Sequence, residues 1–145
     1  MTSAAGVTVH DQVVEQFNDF KLKRPPFDFR YFIYKIDNDS QIVIESTGPL
    51  DEPYDAFYNT LSVIKDQCRY ALVDLEVTTS DGRPTSKVVF ISWSPDTATI
   101  KSKMMYASSK EAIRRVLVGV GIHLNVTDVS ELEYDYVLDS VKKYL

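Results

Sequence analysis

Trp93-Ser-Pro-Asp-Thr-Ala-Thr-Ile-Lys-Ser-Lys-Met-Met-Tyr-Ala-Ser-Ser-Lys-Glu-Ala-Ile-Arg-Arg-Val-Leu-Val-Gly119 runs from a strand end through a proline turn and a basic, methionine-bearing segment into a long helix. Ser108 stands three residues before Glu111, the spacing at which a hydroxyl caps one orphan amide while the carboxylate reaches back. The helix is therefore expected to start there. Beyond it Ala112, Ile113, Val116, Leu117 and Val120 fall on one face, with Lys110, Arg114 and Arg115 on or beside the other. Gly119 is the expected C-cap, where glycine accepts left-handed geometry at little cost. Between Lys101 and Arg115 there are five cations and one acid, in a chain whose net charge is -5. A cationic strip on an acidic protein points to a particular acidic partner.

The chain of 145 residues fits one domain, 1–145, and its 44% hydrophobic and 12% aromatic content suffices for a sizeable core. Sixteen basic against twenty-one acidic residues argue against wholesale nucleic-acid binding. The single cysteine, Cys68, excludes an intramolecular disulfide, fits a reducing compartment and reads as a buried strand thiol. Met1-Thr-Ser-Ala-Ala-Gly-Val lacks the basic and apolar regions of a signal peptide. No uncharged apolar run approaches the roughly 20 residues of a membrane span. A cytoplasmic protein is expected, in which the sequons at Asn38 and Asn125 are chance matches.

Upstream, Val13, Val14, Phe17 and Phe20 recur at helical spacing from about His10 to Lys21, and Lys23-Arg-Pro-Pro ends that helix. Arg30 to Ile36 and Gln41 to Ser46 flank the turn Asp37-Asn-Asp-Ser, a hairpin signature. A short helix carrying Tyr54, Phe57, Tyr58 and Leu61 follows Gly48-Pro49. Two strands, Tyr70–Thr78 and Lys87–Ser92, are joined by Ser80-Asp-Gly-Arg-Pro-Thr-Ser; the second is continuously apolar and so expected to be central. Ile122 to Val126 alternates like an edge strand. Leu132, Tyr136, Val137, Val141 and Tyr144 give a last helix, capped by Ser130 or Asp128. This order predicts an α/β fold of the α+β type: a mixed five-stranded sheet covered by helices on both faces.

Catalytic groupings are poor. His10 and His123 have no cysteine or glutamate at ligand spacing, so no metal site is expected. Gly119-Val-Gly121 follows a helix and lacks the third glycine of a dinucleotide loop. No serine sits in a nucleophile elbow, and pairs such as Asp37/Asp39 or Glu131/Glu133 read as surface charges. No enzyme and no cofactor are expected. The basic strip differs from a merely solvated helix in two ways. Lys110, Arg114 and Arg115 crowd like charges, which disfavours the isolated helix. Met104-Met105-Tyr106 adds soft side chains suited to an adaptable protein interface.

Four separated segments, Asp66-Gln-Cys-Arg-Tyr-Ala, Val89-Phe-Ile-Ser-Trp-Ser-Pro-Asp, Ile100-Lys-Ser-Lys-Met-Met-Tyr-Ala-Ser-Ser-Lys-Glu and Thr127-Asp-Val-Ser-Glu, resemble the actin-depolymerising factor/cofilin family, and Gly6-Val-Thr-Val extends the likeness to the start of the chain. The resemblance implies that family's fold, the binding of actin monomers and filaments with preference for ADP-bound subunits, and filament severing and disassembly. It places the surface shared by monomer and filament at Ser3, Gly6, Lys101, Lys103, Met104, Met105, Lys110, Glu111, Arg114, Arg115, Asp128 and Glu131. It places the filament-specific surface at Arg83, Lys87, Asp139 and Lys143. It further implies a monomeric, cytoskeletal protein whose cations also suit a phosphoinositide head group.

The pattern departs in three places. Ala5 occupies the position of the family's regulatory serine. Ser3, two residues earlier, is a phosphorylation candidate that the alignment itself does not imply; phosphate there would set about -1.5 to -2 of charge against an acidic partner and inhibit. The two alternating hairpin positions, usually both basic, read Thr85 and Lys87. Asp139 is followed by Ser140 where a base is usual, with Lys142 and Lys143 further on. Intact monomer binding and reduced filament binding are therefore expected, with a mainly monomer-binding protein or a phosphoinositide-binding module as the alternatives.

Overall fold

The computed structural model describes residues 6–22 and 29–144. Eleven elements follow one another as β1 (Thr8–Val9), α1 (Asp11–Lys21), β2 (Phe29–Asp37), β3 (Gln41–Pro49), α2 (Tyr54–Ser62), β4 (Arg69–Thr78), β5 (Pro84–Trp93), α3 (Ile100–Val116), β6 (Ile122–Val126), a 3-10 turn (Val129–Leu132) and α4 (Tyr134–Lys142). The strands form one mixed sheet in the order β1-β3-β2-β4-β5-β6. The expected five strands are present. A sixth, β1, pairs parallel to β3 through two residues, Thr8 with Gln41 and Val9 with Ile42.

Side chains of a strand alternate between faces, and that period sorts the core into two layers. Phe32, Tyr34, Tyr70, Leu72 and Phe90 pack under α1 and α3 with Val13, Phe17, Tyr106 and Ile113. Ile33, Ala71, Val73, Leu75, Val89, Ile91 and Trp93 pack under α2 and α4 with Phe57, Leu61, Val137 and Val141. The strand buried along most of its length is β4, whose residues 69–75 are all buried, rather than β5. Cys68 is buried as expected, one residue before β4 begins.

Turn chemistry fixes the registers. Asn38 and Asp39 both take positive φ, 51° and 56°, the left-handed central pair of a turn that the Ser40 amide closes by donating to the Asp37 carbonyl at 3.0 Å. The β2–β3 ladder has two irregularities, beside Arg30 and beside Glu45, and a bulge leaves one residue outside the pairing. Arg30 donates to the carbonyls of Leu50 at 2.8 Å and Asp74 at 2.9 Å. Glu45 takes a two-pronged contact from Arg69, at 3.0 and 3.2 Å. Gly48-Pro49 belongs to β3 rather than to the approach of α2.

The hairpin of β4 and β5 outruns its neighbours. Strand β2 pairs with β4 only at Tyr70–Val73, and β6 pairs with β5 only from Val89 to Trp93. Residues 74–78 and 84–88 thus form a two-stranded ribbon projecting from the sheet.

Gly48 lies opposite Tyr31, and a Cβ at position 48 would overlap the Tyr31 ring. That ring is itself packed on Phe57, with centroids 5.3 Å apart. Gly48→Ala is expected to destabilise the fold by about 1–3 kcal/mol, the usual cost of overpacking a filled site. Thermal unfolding monitored by circular dichroism measures this, and an unchanged midpoint would contradict the packing described.

Candidate functional site

The expected Ser108/Glu111 capping box is not where α3 begins. The helix starts two turns earlier, at Ile100, and Thr99 caps it by accepting the Ser102 amide hydrogen at 3.1 Å. Ser108 lies mid-helix, and its hydroxyl donates to the Met105 carbonyl at 3.1 Å, the back-bonding open to a helical serine. Glu111 turns instead to Arg114 at 3.3 Å and Arg115 at 3.7 Å. The helix ends at Val116, and Gly119, with φ of 93°, serves the turn beyond it.

Starting earlier places the whole basic segment on one helix. Tyr106, Ser109, Ala112 and Ile113 are buried and anchor it. Tyr106 accepts the Ile36 amide hydrogen on its hydroxyl at 2.8 Å and the Tyr70 hydroxyl proton on its carbonyl. Ser102 accepts the Cys68 amide hydrogen at 3.0 Å. With the helix fixed in rotation, Met105 packs against the core while Met104 points outward at 68% exposure. Ile100, one turn before Met104, is 76% exposed. These two, with Lys101, Met105 and Ser108, line an apolar surface depression of ≈ 550 Å³.

Lys101 lines that depression and the other cations follow along the helix, each held by an acceptor. Lys101 pairs with Asp39 of the β2–β3 turn at 2.9 Å, and this hydrogen bond raises the Lys101 pKa. Lys103 donates to the Asp96 carbonyl at 2.9 Å. Lys110 donates to Asn125 of β6 at 2.6 Å. Burial, and then the neighbouring Arg114, lower its pKa, so rising pH discharges Lys110 before Lys101. Strand β1 runs beside α3, which brings exposed Gly6 to the same side. Ser3 and the arm before Gly6 lie outside the described residues, as does Lys23-Arg-Pro-Pro.

Asp128 caps the 3-10 turn by accepting the Ser130 amide hydrogen at 2.9 Å, while α4 starts after Glu133 with no side-chain cap. Glu131 accepts both the amide and the hydroxyl hydrogens of Thr127 at 3.0 Å. Backbone hydrogen bonds, from Ser130 and Thr127 respectively, hold both carboxyls below the usual range. These two acids therefore carry structural bonds as well as charge. His123 has its Nε2 3.0 Å from the Val120 carbonyl oxygen, with its ring edge-on to Phe90. Among the described residues no group of three His, Cys, Asp or Glu could hold a metal ion.

The residues expected to be filament-specific fall into separate places. Lys87 and Thr85 of the ribbon share a cleft of ≈ 550 Å³ with Lys142 and Tyr144, the end of α4. Arg83 does not line it; its guanidinium binds Asp81 at 2.9 Å in the hairpin turn. Asp139 and Lys143 are exposed near the end of α4. The outward placement of Ile100, the acceptors Asp39 and Asn125, and the Asp81–Arg83 pair were missed by reading the sequence. The spacing of Ile100 and Met104, four residues apart, was the one local signal available.

A sheet clasped between two helical layers, with an apolar depression and a run of cations on its longest helix, has the anatomy of a protein-binding module. The chain belongs to the cofilin/tropomyosin-type actin-binding protein family, whose model matches residues 6–142. It is 43% identical over 144 residues to a cofilin of Ogataea parapolymorpha, covering 97% of this chain and 96% of that protein. It is likewise 43% identical over 136 residues to actin-depolymerizing factor 8 of Arabidopsis thaliana, covering 93% and 94% respectively. Among solved structures, Streptomyces griseoflavus cofilin superposes with a TM-score of 0.80 at 37% identity, covering 93% of this chain and 98% of that one.

The position of the helix start is open to test. Thr99→Ala removes the cap and is expected to cost about 1 kcal/mol, whereas Ser108→Ala on the helix surface stays within about 0.5 kcal/mol of the parent. Urea unfolding of the two variants reads the difference, and the reverse order would restore Ser108 as the cap.

Proposed function

We propose that this chain binds actin monomers and filaments, prefers ADP-bound subunits and promotes filament severing and disassembly, working by binding and not by catalysis. The observation that carries this reading is the exposed pair Ile100 and Met104 on the same helix as Lys101, Lys103, Lys110, Arg114 and Arg115. Burying each apolar side chain against a partner contributes about 1.5–3 kcal/mol. The cations add orientation and encounter rate against an acidic rim. Gly6, Glu111, Asp128 and Glu131 complete the surface shared by monomer and filament. Arg83, Lys87, Asp139 and Lys143 form the filament-specific one. The family resemblance supplies the partner, and the anatomy of α3 suits it. The same cations suit the phosphates of an inositol lipid, whose binding would exclude actin. A cytoplasmic, cytoskeletal location and action as a monomer go with this reading.

Reversing both Arg114 and Arg115 to Glu is expected to weaken monomer binding by about a hundredfold, since like charges facing across an interface cost several kcal/mol. Their side chains are exposed, so circular dichroism of the variant should match the parent. Unchanged affinity in a fluorescent-monomer titration would remove α3 from the interface. Changing Arg83 and Lys87 to Ala should lower co-sedimentation with filaments while leaving monomer affinity within about twofold, because rim charges act on the surface they face. Equal losses in both assays would merge the two surfaces into one.

A further inference from the structure

We infer that Asp81 is a specificity-determining residue: by clamping Arg83 it removes the hairpin tip's positive charge and sets filament affinity below what the ribbon's cations would otherwise give. This rests on the proposed placement of Arg83 on the filament-specific surface.

The turn is built to hold the clamp. Gly82, with φ of 85°, closes it by donating to the Thr79 carbonyl at 2.9 Å. The Thr79 amide donates to the Arg83 carbonyl at 2.9 Å. The Thr79 side-chain oxygen lies 3.2 Å from the Arg83 amide, which donates to it, and its proton goes to Oδ1 of Asp81. That bond orients the carboxylate so that Oδ2 meets Arg83 Nε at 2.9 Å. Two polar atoms of one carboxylate are thereby assigned, one to aim it and one to hold the guanidinium. The same Thr79 bond, chiefly, holds the Asp81 carboxyl below its usual range, so the clamp is charged at neutral pH.

The two candidate surfaces differ in their charge count. On α3, Glu111 is the lone acid among five cations and is shared by two arginines. Between residues 78 and 86, Asp81 and Arg83 are the only charged residues and cancel one for one. An acidic partner approaching the hairpin meets a dipole where it would otherwise meet a cation. Lys87, deeper in the ribbon beside Thr85 and Lys142, is left to supply the attraction. Selectivity for monomers over filaments follows from one side chain.

The test is a double-mutant cycle of Asp81→Asn and Arg83→Gln, with filament co-sedimentation and monomer titration on each protein. Asn keeps an acceptor for the Thr79 hydroxyl, so the turn is retained while the charge is lost. D81N is expected to tighten filament binding about two- to fivefold at low salt, the scale of one exposed ion pair. The gain should shrink as salt shortens the screening length toward about 3 Å at 1 M. Monomer affinity should not move, and the gain should disappear in the R83Q background. If R83Q weakens filament binding but D81N leaves it unchanged, the clamp is overturned and the surface stands. If R83Q leaves filament binding unchanged, Arg83 is off the surface, and both the clamp and that placement fall. A D81N gain that persists in R83Q also overturns the clamp, since Asp81 would then act without its arginine.

Discussion

Tyr106 sits buried halfway along α3, with its hydroxyl on the amide of Ile36 and its carbonyl under the hydroxyl of Tyr70. A tyrosine with both ends satisfied in the core cannot rotate without abandoning one of them. This fixes the helix about its axis, and everything presented to a partner follows from that angle. Ser109, Ala112 and Ile113 turn inward with the ring, while Ile100 and Met104 turn out. Beneath it Arg69, buried and bonded to Glu45, Gln67 and the Cys68 carbonyl, holds the strand entrance from which Cys68 reaches Ser102. Opposing charge balances Arg69 in its buried position; removing either partner alone would leave an uncompensated ion.

The surface that results is ordered before any partner arrives. Lys101, Lys103 and Lys110 each have an acceptor from a different part of the chain: the β2–β3 turn, the loop before α3, and β6. Such contacts in water are individually weak. Their effect is to narrow the positions that long side chains sample, which lowers the ordering cost of association. They also set an exchange to be made on docking, since each acceptor must yield or be shared.

Much of the fold was legible because it is written in short periods. The runs Arg30 to Ile36 and Gln41 to Ser46 flanking the turn residues Asp37-Asn-Asp-Ser, the alternation of Ile122 to Val126, and the helical spacing of Val13, Phe17 and Phe20 are local signals, and each marks its element. What failed was long-range or inverted. The start of α3 was misplaced because Ile100 and Met104, which an apolar-inside rule assigns to the core, face solvent. Ser108 and Glu111 mimic a capping box, whereas the true cap, Thr99, has Ser102 three residues on where a capping box has Glu or Gln. A strand of two residues such as β1 has no period to detect. Among the candidate site residues, the sequence placed Lys110, Arg114 and Arg115 on or beside one helix face but left Lys101 and Lys103 ahead of the helix, and the acceptors lie up to 62 positions away in the case of Lys101 and Asp39.

The ribbon beyond Val73 and Val89 has a mechanical consequence. Inside the sheet, a strand has ladders on both sides; here the ladder of β4 and β5 is with each other alone. Arg30, reaching across to the Asp74 carbonyl, ties down the ribbon's root where β2 has stopped pairing. Paired strands without further neighbours take up extra twist more readily than those in a wide sheet. Leu75 and Val77 nevertheless stay buried in the core layer with Val137 and Val141 of α4, so compliance is confined to the tip beyond Val77, which can follow a second surface while the face of α3 keeps its shape.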